Sequence, residues 1–206
     1  MFRVASQTDS NPRLPEHLER DKIKFEFFLL PSKAHARTEH HDPLGIKNIH
    51  KSKKTNMETR VLLLKKLNTT VSQVLDIYQT MKDPEIIVYE DWSAKDVLGH
   101  ITFWHESFAR NVRDLVNGVK PTPLKGKYSE LNELCLSETR NQTVKTITIR
   151  LAAAHGLIQE NILNKKLQLI PYKKGSRSYT PEEHLEITAN HIDGHLRDLK
   201  KAGRDL

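Results

Sequence analysis

The feature of this sequence best suited to chemistry is a pair of histidines four positions apart, His191 and His195. If their segment is helical, the two imidazoles lie on the same side of it, with Cβ atoms about 5–6 Å apart. That spacing suits two ligands on one divalent metal ion. His100, in an earlier segment, also lies at the edge of an apolar stripe, where it could face a cavity between helices. The sequence thus offers three candidate metal ligands.

Other observations limit this interpretation. Pairs with this spacing are also common on exposed helix faces. His184 lies seven residues before His191 on the same side, so it could be a reserve ligand or could support one. His105 lies about 140° around the helix from His100, so the two cannot share a site. Ile192 stands where zinc proteases carry a general-base glutamate, which argues against a metalloprotease.

The remaining reactive residue types each have a simpler structural explanation. Cys135 is the only cysteine, which excludes an internal disulfide, and no nearby cation in the sequence would lower its pKa. We therefore expect a partly buried structural thiol. Trp92 and Trp104 are most simply core anchors, although Trp104 could line a pocket. Asp193 and Asp198 could orient imidazoles and could equally be solvated helix charges.

The elements that would position these residues are helices. After Met57, apolar residues recur at spacings of three and four. Ser93 and Asp96 form one helix-start signal, and the run from Thr180 to Glu183 forms a stronger one. The patterns predict a long helix over about 58–81 and a short helix around Ser129–Glu138. Three more apolar stripes, Val97–Leu115, Val144–Ile162 and Leu185–Leu199, each predict a further long helix. Because the only strand signal is Ile86–Tyr89, we expect an all-α fold and a four-helix bundle.

An extension precedes the predicted domain of residues 57–206. Residues 1–56 contain four of the nine prolines and no lasting apolar period. Such a segment cannot offset the entropy lost on ordering, so we expect it to be largely disordered. Two alternatives stay open, namely a weak secretory signal over Lys22–Ala36 and a native start at Met57.

Charge and hydropathy limit the classes of partner that the chain is expected to bind. The chain carries a net charge of +7, of which +4 lies in residues 1–56 and +3 in residues 57–206. This near balance in the predicted domain indicates a solvated surface rather than a nucleic-acid-binding stripe. No apolar run approaches the roughly 18–20 residues of a membrane span, and the single cysteine is consistent with a cytoplasmic protein. Leu62 and Leu63 would suit the partner helix of a homodimer and would equally suit an ordinary helix edge.

Three segments have the residue types and spacing of a known family. The stretch Trp92–Trp104 contains a Trp-x-x-x-Asp-x-x-x-His pattern that ends at His100. Tyr179–His184 reads Tyr-Thr-Pro-Glu-Glu-His and precedes the HxxxH pair, and Tyr128–Leu134 reads Tyr-Ser-Glu-Leu-Asn-Glu-Leu. The first two resemble the second and last helices of the DinB-like (YfiT-like) four-helix bundles. The third is similar to a linker in the ClbS/DfsB branch of that family. The resemblance spans about Glu58–Lys201.

The resemblance implies a divalent metal, commonly zinc or nickel, held by His100, His191 and His195 with one coordination position left open. It also implies a metal-dependent thiol transferase or hydrolase that detoxifies an electrophilic small molecule, with a low-molecular-weight thiol as a co-substrate. We expect Trp104 and His184 to line the substrate pocket. Two alternatives stay open: a metal-free small-molecule binder or hydrolase of the ClbS/DfsB kind, and a non-catalytic interaction bundle.

Overall fold

The computed structural model describes residues 46–203, and their side chains from residue 56 onward. This part of the chain is mostly helical, as predicted, with five helices and four very short strands. The helices are α1 (Ile46–Thr80), α2 (Ala94–Val116), α3 (Tyr128–Thr139), α4 (Val144–Asn161) and α5 (Pro181–Ala202).

The first helix begins earlier than expected. The extension predicted for residues 1–56 lies outside the described residues up to residue 45, but the chain is helical from Ile46 onward. The helix start predicted near residue 58 is therefore too late, and Met57 lies inside a helix. The physical reason is that residues 46–82 contain neither proline nor glycine, so nothing interrupts the helix where its apolar period fades. The disorder expected for the extension stays a prediction.

The two predicted helix starts are confirmed, and each is a capping box. Ser93 Oγ accepts a hydrogen bond from the Asp96 amide, and the Asp96 carboxylate accepts one from the Ser93 amide. Thr180 and Glu183 make the same reciprocal pair at the start of α5. These bonds satisfy amide groups that a helix start leaves without partners, so they fix where α2 and α5 begin.

The helices pack mainly in two pairs, α2 with α4 and α1 with α5. The helix α3 lies on α2 at Gly99, where a Cβ atom would lie only 2.8 Å from the Cβ atom of Thr139. Between the helices is an aliphatic core that includes these residues of the predicted apolar stripes: Leu67, Ile101, Ile147, Leu151, Ile158, Leu185, Ile192 and Leu196.

Two short hairpins lead into the helices that carry the candidate ligands. Strands β1 (Ile87–Tyr89) and β2 (Trp92–Ser93) pair antiparallel immediately before α2. Strands β3 (Ile170–Pro171) and β4 (Ser178–Tyr179) pair antiparallel immediately before α5. Only β1 was indicated by the sequence, because a two-residue strand is too short to show an alternating pattern.

The outer face of α1 is not uniformly polar. Leu62 is 65% exposed, whereas Leu63 packs partly against the core. Their use in a homodimer stays a prediction. No helix within residues 46–203 combines the length and the apolar character that crossing a membrane would need.

Candidate metal centre

Three histidines from α2 and α5 bring their Nε2 atoms together. The Nε2 atom of His191 lies 3.0 Å from that of His100 and 2.9 Å from that of His195. Within the described residues, this is the only group of three or more His, Cys, Asp or Glu side chains whose ligand atoms lie within 4.8 Å of one another. The three residues predicted as ligands thus lie close together, although 91 positions separate His100 from His191. We call them the three-histidine cluster.

Burial keeps the cluster uncharged. His100, His191 and His195 are 2%, 8% and 6% exposed. Loss of hydration lowers the pKa of His191 to about 4 and holds the pKa of the other two well below the ordinary range. Charge repulsion from neighbouring imidazoles lowers the pKa of those two further, while a hydrogen bond that His100 donates to Asn132 raises the pKa of His100. Neutral imidazoles keep the lone pairs that a metal needs at neutral pH.

A hydrogen-bond relay sets the protonation of His195. The Tyr89 hydroxyl oxygen lies 2.8 Å from His195 Nδ1 and 2.7 Å from Asp198 Oδ2. Tyr89 has one proton, which it donates to the carboxylate, so its oxygen accepts the Nδ1 proton of His195. Burial and the nearby carboxylate raise the pKa of Tyr89, which keeps its proton in place. His195 therefore presents a lone pair on Nε2 to the cluster.

This arrangement leaves too few protons for the contacts within the cluster. His191 Nε2 is close to two other nitrogens and carries at most one proton. If it donates that proton to His195, it cannot also donate to His100. If His191 Nε2 instead accepts a hydrogen bond from His100, it carries a lone pair. The lone pairs of His191 and His195 then face each other at 2.9 Å with no proton between them. A divalent cation that accepts all three lone pairs removes the conflict, so the donor set fits a metal.

Aromatic side chains lie beside the cluster. Trp104, predicted as a pocket residue, has its ring centroid 6.4 Å from that of His100. The Trp104 ring also stacks on Tyr172, with centroids 5.4 Å apart and planes 13° apart. The ring of Tyr128 lies 5.9 Å from Trp104, and Lys173 lies over Tyr128. The Trp104 indole N–H is buried and has no hydrogen-bond partner among the described residues.

His184 is not brought into the three-histidine cluster, so the prediction that it is a reserve ligand is wrong. Its ring stacks on Phe108, with centroids 3.9 Å apart, and lies 5.4 Å from Tyr172. Burial lowers its pKa to about 3. Seven residues complete almost two helical turns, which places His184 on the side of His191 but about 10 Å further along the helix. Its place in a substrate pocket stays a prediction.

A second pair of histidines lies between α2 and α4. His105 Nε2 is 3.1 Å from His155 Nδ1, and burial lowers the pKa of both residues. As expected from the helical geometry, His105 does not share the site of His100. Neither the outer nitrogen of His105 nor that of His155 has a hydrogen-bond partner among the described residues.

Cys135 is a structural thiol. It is fully buried on α3, and burial raises its pKa to about 12. A nucleophilic cysteine needs a lowered pKa, so this position does not provide one.

The relay behind His195 was not predicted from the sequence. Asp198 was expected only as one of two acids that could orient an imidazole, and no role was predicted for Tyr89. The other acid, Asp193, faces outward and pairs with Arg197 at 3.6 Å. The available signal for Asp198 was its position three residues after His195, on the same helix face. Tyr89 lies 106 positions from His195, so spacing gave no signal.

The fold and the site define a mostly helical protein with a buried cluster of three neutral histidines on two helices. No family model, curated protein or solved structure gives a significant match to this chain.

Proposed function

We propose that this protein is a DinB-like four-helix bundle that binds one divalent metal ion through His100, His191 and His195. The observation that carries the proposal is the convergence of three Nε2 atoms, with contacts of 2.9 and 3.0 Å, from helices far apart in the sequence. The pairing of the four long helices supports the bundle. An all-imidazole donor set favours zinc or nickel over magnesium or calcium, which prefer oxygen ligands.

The proposed activity is the transfer of a thiol, or of water, to an electrophilic small molecule. Three protein ligands leave a coordination position open for such a group. A metal in this site would act as a Lewis acid, lowering the pKa of a bound water or thiol. The protein would contribute orientation, because Tyr89 holds the ring of His195 and the rings of Trp92 and His100 pack in a T-shaped contact with centroids 5.3 Å apart.

The aromatic group beside the cluster supports a small-molecule substrate. Trp104 and Tyr172 present stacked apolar rings, and the Trp104 indole N–H is a buried donor whose partner could be a substrate oxygen. The same group also favours the alternative function, a metal-free binder or hydrolase of the ClbS/DfsB kind, because aromatic rings hold an apolar molecule without a metal. The two functions differ in whether removal of the metal abolishes activity.

The first experiment measures metal binding. Purified protein, stripped with chelator and titrated with Zn²⁺ or Ni²⁺, is expected to bind one equivalent. H191A removes the central ligand, so its loss of affinity is expected to exceed the loss of about 10–100-fold that is typical when only an outer partner of a ligand is removed. H155Q is the matched control, since His155 is also buried but lies outside the cluster. Wild-type protein without stoichiometric binding, or H191A with unchanged affinity, would contradict the proposal.

The second experiment measures chemistry. A reactive aryl halide is incubated with a low-molecular-weight thiol and the protein, and product formation is followed by absorbance. We expect turnover with metal and none in chelator or in H191A. Turnover that persists in chelator but is lost in W104A would favour the metal-free alternative.

A further inference from the structure

Two side chains, Tyr89 and Asp198, lie on the outer side of the cluster behind His195. We propose that Tyr89 and Asp198 are positioning residues for metal binding, because together they hold His195 with its proton on Nδ1 and its Nε2 lone pair facing His100 and His191. The inference rests on the proposed metal site, and it assigns to two side chains a role that the ligands alone do not explain.

The contacts fit a relay in one direction only. The Asp198 carboxylate can only accept, so the Tyr89 hydroxyl at 2.7 Å donates to it and accepts from His195 Nδ1 at 2.8 Å. Reversing the His195 contact would require Tyr89 to donate two protons. The rings of Tyr89 and His195 also meet edge to face, with centroids 5.8 Å apart, so the imidazole is held by packing as well as by the hydrogen bond.

The relay joins two elements that are positioned independently. Asp198 lies on α5, one turn beyond His195, whereas Tyr89 is held by the hairpin of β1 and β2. That hairpin is anchored to the start of α2, because the Ala94 amide donates to the carbonyl of Ile86 at 2.8 Å. Tyr89 thus fixes the ring of His195 relative to α2, which carries the ligand on the opposite side of the cluster.

A metal ligand with its second ring nitrogen held in this way is preorganised. Partners of this kind fix the tautomer and the ring orientation and make the imidazole more basic, and their loss typically costs about 10–100-fold in metal affinity. Y89F keeps the ring and removes only the hydroxyl, so we expect a loss of about 10–100-fold. D198N keeps the shape but lets the Tyr89 hydroxyl reorient, so we expect a smaller loss of about tenfold.

The test has two readouts. Zn²⁺ affinity is measured by competition with a chromophoric chelator, and the tautomer of His195 in metal-free protein is read from ¹⁵N chemical shifts of labelled imidazoles, assigned by comparison with H195Q. Wild-type protein is expected to hold the proton on Nδ1. In Y89F and D198N, His195 is expected to show a mixture of tautomers together with the loss of affinity.

Two matched control variants distinguish a role in positioning His195 from a general contribution to stability. Y78F removes another buried tyrosine hydroxyl, one that donates to the backbone carbonyl of Ala94, and D193N removes an outward-facing carboxylate from the same helix as Asp198. Both are expected to keep the affinity and the tautomer of the wild type, even if Y78F melts at a lower temperature.

Two results would overturn the inference: a wild-type His195 with its proton on Nε2, or a folded Y89F that keeps both the tautomer and the Zn²⁺ affinity. If Y89F does not fold, D198N decides by the same criteria. A wild-type protein that binds no Zn²⁺ would contradict the proposed function, and the tautomer measurement would still decide whether Tyr89 and Asp198 position His195.

Discussion

The three-histidine cluster and the His105–His155 pair use the same residue type at the same depth, yet they are built differently. In the cluster, three nitrogens converge, and the far side of His195 is tied to Tyr89. In the pair, one contact of 3.1 Å joins the rings, and their outer nitrogens have no hydrogen-bond partner in the described part of the chain. A single proton shared between two neutral rings accounts for the pair, whereas it cannot account for the cluster.

This difference teaches that burial alone does not make a histidine a ligand. Burial lowers the pKa in both regions and leaves both sets of imidazoles neutral. What distinguishes the cluster is that its lone pairs meet at one place and that an outer partner sets the tautomer. Experiments that separate the two regions therefore test this distinction.

The largest expected effect is acid unfolding of the metal-free protein, to which both regions contribute. The pKa is lowered to about 3 in His105 and about 4 in His191, from an unfolded value of about 6.5. Their contribution to stability is therefore complete above pH 6.5 and is lost as the pH falls toward the folded pKa. In that window, each such histidine lowers the free energy of unfolding by about 1.4 kcal/mol per pH unit. A few of them together therefore reduce a typical free energy of unfolding to zero by about pH 4.5.

Circular dichroism in chelator, with guanidinium titrations at pH 7, 6 and 5, measures this loss. Zn²⁺ is expected to move the acid midpoint of the wild type to lower pH, because the metal competes with protons for the cluster only. In H191A, Zn²⁺ is expected to have no effect. Equal unfolding free energies at pH 7 and pH 5 would contradict the lowered pKa values.

The next effect is stabilisation by metal at neutral pH. A ligand at 100 times its dissociation constant adds about 2.7 kcal/mol to the unfolding free energy, which corresponds to about 5–10 °C in Tm for a chain of this size. Thermal melts with Zn²⁺ and with chelator are expected to differ by that amount in the wild type and in H155Q. H191A is expected to melt at one temperature in both. If Zn²⁺ still raises the Tm of H191A, the ion binds outside the three-histidine cluster.

Local spacing in the sequence was sufficient for the helices and for the candidate pair His191 and His195, whereas the addition of His100, 91 positions from His191, was implied by the resemblance to a family. The capping boxes at Ser93 and Thr180 and the four-residue step from His191 to His195 are local patterns, and the structure has them as expected. The relay to Tyr89 and the partner of His105 depend on which helices pack together, which no local spacing encodes. The start of α1 was predicted too late, because the apolar period that marks residues 58–81 does not continue into residues 46–57, although the helix does.

The next smaller effect is expected at the glycine that lies next to a histidine in each region. Gly99 precedes His100, and a Cβ atom there would lie 2.8 Å from the Cβ atom of Thr139, so G99A must shift α2 against α3. We expect a cost of about 1–3 kcal/mol and weaker Zn²⁺ binding, since His100 moves with the helix. Gly156 follows His155 and has open space around it, so G156A is expected to stabilise the protein by about 0.5–1 kcal/mol without changing Zn²⁺ affinity.

Guanidinium unfolding and the chelator competition assay measure both variants. If G99A unfolds like the wild type and binds Zn²⁺ equally well, the close approach of α2 and α3 does not control the position of His100.

The smallest expected effect is the coupling within the pair itself. A double-mutant cycle with H105L, H155L and the double variant isolates the contact between the two rings. Because a neutral hydrogen bond contributes about 0.5–1.5 kcal/mol, we expect a coupling energy of that size, and we expect the double variant to be more stable than the sum of the single losses predicts. Each single variant leaves one buried imidazole with no partner, whereas the double variant removes both. In all three variants, Zn²⁺ affinity is expected to stay at the wild-type value, because the two rings of the pair contribute no lone pair to the cluster. A drop in affinity in H105L or H155L would show that the two regions act together, and the distinction between them would then be wrong.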